Sequence, residues 1–563
     1  MEQENIETIS KELLVQIQNM FETALELFHK SASEEKPFEY KYESRAVLEK
    51  IINDQLISSE PENEFKKAIK IVVNYNLALN HLETEENTEA DKYFNKTLEL
   101  LNTVEEQSNA KFGNVLQDIY NNLGYLALNR DENEKGMSLL AKSEELYLGI
   151  IKIPNLTKEV TYNSKDLASK KENEVKFCNF WEPQVSVKRS ENLYTLTLFF
   201  LAQAYTKLGE KEKAAIYCGN TLKRQFETNE YQLKDWCVNC ISLAEYFINN
   251  NNFAQAYYLL QAGQNLLSQK EKKFKLKATF SMSFARLFKS FLSYAISNLN
   301  PKEEERKEIQ RIINLKELTF DTINWTFINF DFPKSKEEIL KLFRTSNTQY
   351  KKSMSFFVLD GYVTENITMS QEISAMIKEL SSIENDHASK ISFLEKRLGL
   401  IDPLRIALNP KAYPSFYEKL VVEAAEICNE ICELSGVELL KAKKTDKIIE
   451  KINTFGFKCV EMYTEIEKLL EEQKENRDKH YYQSVVNTKF NIAKVFSRMI
   501  GKRKHEKVEF LKKSLDGYRD IVNYMKNLLK EKGNLDFNFS EQLRICEEMG
   551  ELLPVKISKI NSE

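Results

Sequence analysis

Cysteine and histidine are the residues of this chain whose type and spacing could do chemistry. Cys237-Val238-Asn239-Cys240 has the C-x-x-C spacing of a zinc half-site or a redox dithiol. A zinc ribbon needs a second ligand pair at matching distance, and none follows. A thioredoxin-type pair needs a strand before it, whereas this one falls inside a helical apolar pattern. The five histidines, His29, His81, His387, His480 and His505, are scattered. His81 falls on a helix packing position and reads as structural. No glycine-rich phosphate loop, G-x-S-x-G, H-E-x-x-H or kinase signature is present. The expectation is a protein that binds and does not catalyse, with no metal and no cofactor. The eight cysteines, several among apolar residues as at Cys428 and Cys432, read as free core thiols of a reducing compartment.

The elements that carry these residues are helices. Of 563 residues only 15 are Gly and 10 Pro, too few for the many tight turns of an all-β fold. Charged residues make up 29%, mostly Glu and Lys, as on long solvated helices. The net charge of −5 comes without a basic block, which disfavours nucleic acid as a partner. No apolar run approaches the ~18 residues that cross a bilayer. Met1 to Thr8 is polar and acidic, unlike a leader peptide. A cytoplasmic monomer is expected.

Four segments align on one template. A Leu followed by a small residue recurs as Leu77-Ala78, Leu123-Gly124, Leu201-Ala202 and Leu243-Ala244. Four residues after the Leu comes His81, Ala127, Tyr205 or Phe247. Thirteen after it comes Ala90, Gly136, Ala214 or Ala256. Phe94, Leu140, Cys218 or Leu260 and then Thr97, Ser143, Thr221 or Gly263 complete the pattern. This is the tetratricopeptide (TPR) plan, in which small residues let two antiparallel helices touch and large apolar ones fill the gaps. The predicted fold is all-α: a TPR-like, right-handed α-solenoid of helix pairs, curved around a concave face.

The expected organisation is N-terminal helices and two repeats over 1–152, a loop over 153–187 and central repeats over 188–297. A connecting segment over 298–335 and a C-terminal TPR-like region over 336–563 follow. The aromatic stretch with Trp325, Phe327, Phe330 and Phe332 is read as packing a connection. Apolar periodicity predicts helices over Lys336–Leu359, Glu365–Leu398, Tyr413–Leu434, Lys444–Glu472, Tyr481–Met499 and Glu506–Leu529. Ile492-Ala493 with Phe496 echoes the first helix of the template.

Particular strings resemble the kinesin-binding protein family. They are Tyr40 to Glu49, Asn80 to Glu86, Asn121-Asn122-Leu123-Gly124 and Ser143 to Tyr147. Phe200 to Tyr205, Lys213 to Cys218 and Thr221 to Gln225 form the strongest stretch. Asp360 to Thr364, Leu408-Asn409-Pro410 and Glu551 to Pro554 continue in family order. The resemblance implies a clamp on kinesin motor domains that blocks their attachment to microtubules, in a cytoplasmic, cytoskeleton-associated protein.

TPR geometry puts the partner on residues flanking the template Leu: Phe199, Phe200, Gln203, Ser242 and Glu245. Lys223, Arg224 and Gln225 close the second helix of the third pair and can reach the same groove. Gln203 in an aromatic rim has the composition of an interface hot spot. The competing function is a general TPR adaptor or co-chaperone that captures a C-terminal carboxylate. It needs Lys and Asn at groove positions; Tyr75, Leu79, Asn121, Tyr125, Phe199 and Gln203 stand there instead.

Overall fold

The structure is a computed structural model. It describes residues 11–58, 64–103, 112–152, 187–270, 274–320, 328–441, 445–472, 479–532 and 540–562. The loop expected over 153–187 lies, but for its last residue, outside the described residues, as do Trp325 and Phe327. All regular structure among the described residues is helical, with no strand. The chain forms two compact units: Met1–Tyr246 with Leu318–Asn324, and Phe247–Glu317 with Trp325–Glu563.

The first unit runs α1 (Lys11–His29), α2 (Glu39–Ile52), α3 (Gln55–Ser58), α4 (Glu64–Glu83) and α5 (Asn87–Asn102). Then come α6 (Gly113–Asn129), α7 (Asn133–Ile150), α8 (Val187–Lys207), α9 (Lys211–Thr228) and most of α10 (Leu233–Asn249). The turn that ends the first helix of each repeat explains the template. Glu85, Asp131, Gly209 and Asn251 all take a left-handed conformation, with φ of 62°, 60°, 77° and 60°. Each sits eight residues after its template Leu. The next residue's N–H reaches back five, from Glu86 to the His81 carbonyl, Glu132 to Ala127, Glu210 to Tyr205 and Asn252 to Phe247, at 2.8–3.0 Å. This Schellman closure satisfies carbonyls that a helix end leaves orphaned. Four identical closures in one register are the repeat written in backbone.

Packing follows the small residues. A Cβ on Gly124 would stand 2.8 Å from the Leu140 Cγ, and one on Gly136 would stand 2.9 Å from Leu128. Each glycine thus makes room for a leucine of the other helix. In the third pair the register slips by one: Ala215 and Gly219 are buried, while Ala214 and Cys218 are only half-buried.

A ladder of buried polar side chains docks α8 onto α6 and α7. Ser190 Oγ donates to Gln117 Oε1 at 2.7 Å, and Gln117 Nε2 donates to the Ser190 carbonyl at 3.2 Å. Thr197 Oγ1 lies 2.8 Å from Asn121 Oδ1, Asn121 Nδ2 donates to the Leu193 carbonyl, and Ser143 meets Thr197 at 3.0 Å. All five side chains are fully buried. Buried amides and hydroxyls persist where every partner is supplied.

The second unit runs α11 (Phe253–Lys270), α12 (Phe274–Ser297), α13 (Glu303–Ile312), α14 (Lys336–Met354), α15 (Val363–Ser382) and α16 (His387–Ala407). It continues with α17 (Pro414–Lys441), α18 (Asp446–Glu472), α19 (Lys479–Arg498), α20 (Lys504–Lys532) and α21 (Ser540–Ser562). The single helix predicted over Glu365–Leu398 is two helices. Asp386 breaks it by capping α16, its carboxylate accepting from the Ser389 N–H at 2.9 Å. The small-residue rule persists: Ser346 and Ser353 of α14 donate to the Ala285 and Ala278 carbonyls of α12. Ala493 lies against Ser514 and Gly517 of α20, in line with the echo at Ile492.

The aromatic connection packs as expected where it is described. Gln310 and Asn314 clamp the Phe330 carbonyl at 2.6 and 2.8 Å, and Asn314 accepts from the Phe330 N–H. The Phe330 ring then sits against Tyr257, Phe288 and Phe291.

Two solvent-exposed glycines test the repeat turn. An added Cβ would touch nothing within 4 Å at Gly209 or at Gly149, yet only Gly209 has positive φ. Gly209→Ala should lower the unfolding free energy by about 1 kcal/mol, from left-handed strain less the unfolded-state entropy it removes. Gly149→Ala in α7 should raise it by up to about 1 kcal/mol. Urea titration gives both signs, and equal shifts in one direction would overturn the turn register.

Candidate partner-binding site

The expected site residues sit on α8, α9 and α10. Phe199 and Gln203 are four apart on α8 and so share a face. Gln203 is exposed and Phe199 partly so. Phe200 is buried in a core with Leu128, Leu140, Leu201 and Ala204 and stacks on Tyr125 at 5.1 Å, and the half-buried Phe199 packs against the edge of the same core. Of the two phenylalanines, Phe200 is buried and Phe199 keeps part of its ring exposed. On α10, Ser242 and Glu245 are exposed and three apart. That helix is staked by Trp236, whose Nε1 donates to the Leu222 carbonyl at 3.0 Å while its ring packs on Phe226, Tyr231 and Phe320. Cys237 and Cys240 follow this stake, fully buried and in no disulfide, and burial pushes the Cys240 thiol up. The described residues contain no group of metal-ligating side chains.

Of Lys223, Arg224 and Gln225, it is Arg224 that leaves the surface of Gln203. Lys223 is half-buried, 4.0 Å from Glu227 on its own helix. Gln225 is half-buried as well, with its Oε1 enclosed and unpartnered. Arg224 turns back onto the start of α8. Its guanidinium pairs with the Glu191 carboxylate, donates to Thr195 Oγ1 at 3.3 Å, and lies over Tyr194 and Tyr147 at 4.8 and 5.6 Å. Glu191 stands twelve residues before Gln203, roughly 18 Å along the helix.

Around Arg224 the structure assembles a clasp that periodicity alone does not announce. Tyr147 and Tyr194 stack at 3.8 Å between centroids. Tyr147 donates to Glu191, while Tyr194 and Tyr217 both donate to Glu144. Burial, reinforced by Glu144, pushes the Tyr194 hydroxyl well up and that of Tyr217 up to about 12. These phenols stay protonated donors. The available signal was the Ser143 to Tyr147 string, in which Glu144 and Tyr147 lie three apart.

A second polar cluster joins two other strings. Arg45 of α2 donates to Asn80 at 3.1 Å, to Thr84 at 2.7 Å and to Glu86 at 2.8 Å. Glu86 also accepts from Tyr42 and meets His81 Nδ1 at 2.6 Å, and the His81 ring stacks on Tyr93. The histidine is structural. Burial raises the Glu86 carboxyl, but hydrogen bonds from His81, Arg45 and Tyr42 outweigh it and hold the group below its ordinary 4.5. A depressed carboxyl stabilises above its unfolded value and loses that contribution as pH falls through the folded one. Wild type should therefore exceed Glu86→Gln in urea midpoint near pH 7, with the difference closing as acid protonates the carboxylate below its ordinary range. A constant difference would remove Glu86 from this role.

Residues 295–560 match the family model described as "KIF-1 binding protein C terminal". The chain is 24% identical to the KIF-binding protein of Bos taurus over 97% of this chain and 98% of that protein. For the Homo sapiens KIF-binding protein the identity is 24%, over 96% and 97%. The cryo-EM structure of the KIFBP core covers 53% of this chain and 99% of that one, at 24% identity and a TM-score of 0.36. Aligned over nearly its whole length with these KIF-binding proteins, and matched over residues 295–560 by the family's C-terminal model, the chain is similar to the kinesin-binding protein family.

Proposed function

We propose that this chain binds kinesin motor domains and holds them off microtubules, without consuming a nucleotide. The observation that carries the reading is end-to-end kinship with proteins named for binding kinesins, over 97% of this chain. The exposed face of α8, with Phe199 and Gln203 above an anchored Phe200, supplies the contact surface. Ser242, Glu245 and the half-buried Lys223 extend the proposed contact set. Phe200, Arg224 and Gln225 act through position: the Arg224 clasp fixes the start of α8 and with it the aim of Phe199. The chain works in the cytoplasm, beside the cytoskeleton, as a monomer, and takes no part in catalysis.

The adaptor reading finds less support. A carboxylate clamp needs free amide and ammonium donors in the groove. Asn121 is instead buried against Leu193 and Thr197, and the Tyr75 hydroxyl is held between Asp118 and Arg189. Burial pushes the Asp118 carboxyl up, against the pull of Tyr75, Arg189 and Asn122, as for a side chain built into a core. Among the described residues no helix is long and apolar enough to cross a membrane.

Co-sedimentation of a motor domain with microtubules measures the proposed competition. Wild type should lower motor occupancy, and excess tubulin polymer should displace the protein from the motor. A stable ternary complex at full occupancy would overturn the blocking mechanism. The variant Phe199→Ala with Gln203→Ala should keep its helical circular dichroism while binding falls at least tenfold, a loss of about 1.4 kcal/mol. Arg224→Ala should lower both melting temperature and affinity, because it leaves Glu191 without its cation. Binding that survives the first variant unchanged would move the contact surface elsewhere.

A further inference from the structure

The second unit carries a groove that the proposed motor contact does not use. It has a volume of about 500 Å³ and lies over α15, between α14 and α16. Ile373 and Ile377, successive turns of α15, form its floor. Asn347, Lys351 and Met354 line one wall at helical spacing, and Lys396 and Leu400 line the other. The two walls thus repeat one scheme, an apolar side chain toward the floor and a lysine at the rim.

The charge at the rim is one-sided. Lys351 and Lys396 are exposed, and among the described residues neither belongs to an ion pair; Lys396 lies over the Phe393 ring at 5.2 Å. No carboxylate lines the groove. Nearby acids are engaged elsewhere: Glu372 with Arg286, Glu384 with Lys336 and Glu395 with Lys451. An apolar slot between two uncompensated cations attracts an apolar ridge flanked by anions. With only two cations at the rim and an apolar floor beneath them, it does not suit the regular charge of nucleic acid.

We propose that this groove docks an amphipathic helix of a partner protein whose apolar stripe is bordered by Asp and Glu. The stripe enters over Ile373, Ile377, Met354 and Leu400, and the acids meet Lys351 and Lys396. Helix-in-groove recognition uses apolar anchors one turn apart, the spacing that Ile373 and Ile377 present.

Fluorescence anisotropy with a labelled peptide of about 20 residues tests this. Leucines at helical spacing would be flanked by glutamates, and a twin peptide would carry lysines in their place. The full-length chain should bind the acidic peptide saturably and prefer it over the twin by at least tenfold, and added salt should weaken it. Lys351→Glu with Lys396→Glu changes only exposed side chains; it should cost the acidic peptide at least tenfold and reverse the preference. Unchanged circular dichroism certifies its fold, and it should still block motor co-sedimentation. Equal binding of the two peptides, no saturable binding, or indifference to the double variant overturns the proposal. So does loss of motor blocking in that variant, which would make the motor itself the occupant.

Discussion

Everything that the first unit presents depends on the buried ladder of Gln117, Asn121, Ser143, Ser190 and Thr197. These side chains have no access to water, so each donor and acceptor must meet a fixed partner or forfeit its solvation. Sliding α8 by one residue would rotate Ser190 and Thr197 off their partners by 100° and strand several groups together. An apolar interface would tolerate that slip more easily, since apolar contacts are not directional. The ladder therefore fixes the rotation of α8, and that rotation buries Phe200, leaves Phe199 half-buried at the edge of the core and turns Gln203 out.

The glycine and alanine contacts set distance where the ladder sets register. Gly124 and Gly136 each face a leucine of the other helix at a separation that no Cβ could share. The left-handed turn eight residues after each template Leu then fixes how the second helix returns. In the second unit the same task falls to Ser346, Ser353 and Ser514, whose hydroxyls bond carbonyls of the neighbouring helix. Close approach is retained while the residue pattern that signals it has changed.

The strings that carry the family resemblance are largely structural joints. Arg45 and the Asn80 to Glu86 turn are two halves of one cluster. Tyr362 of the Asp360 to Thr364 string packs on Phe356 and Phe357 and shields the turn before α15. Arg224, from the Thr221 to Gln225 string, clasps the start of α8. Such strings report how the chain closes its turns and so orients its exposed helix faces.

The sequence by itself determined the helical class, the four-copy template and the absence of the familiar catalytic signatures. These rest on period, spacing and residue type, all local quantities. The proposal of Phe199 and Gln203 as contact residues has the same local origin, since positions around the template Leu follow from helix geometry. Tertiary structure alone decided which of Phe199 and Phe200 is an anchor, that Arg224 is committed to Glu191, Tyr194 and Tyr147, and that Asp386 divides one apolar run into two helices. It also decided that Lys351 and Lys396, 45 residues apart, flank one apolar slot. A long side chain's partner is set by which helices are docked beside it, and docking is fixed by buried polar groups whose pairings join residues some 70 positions apart.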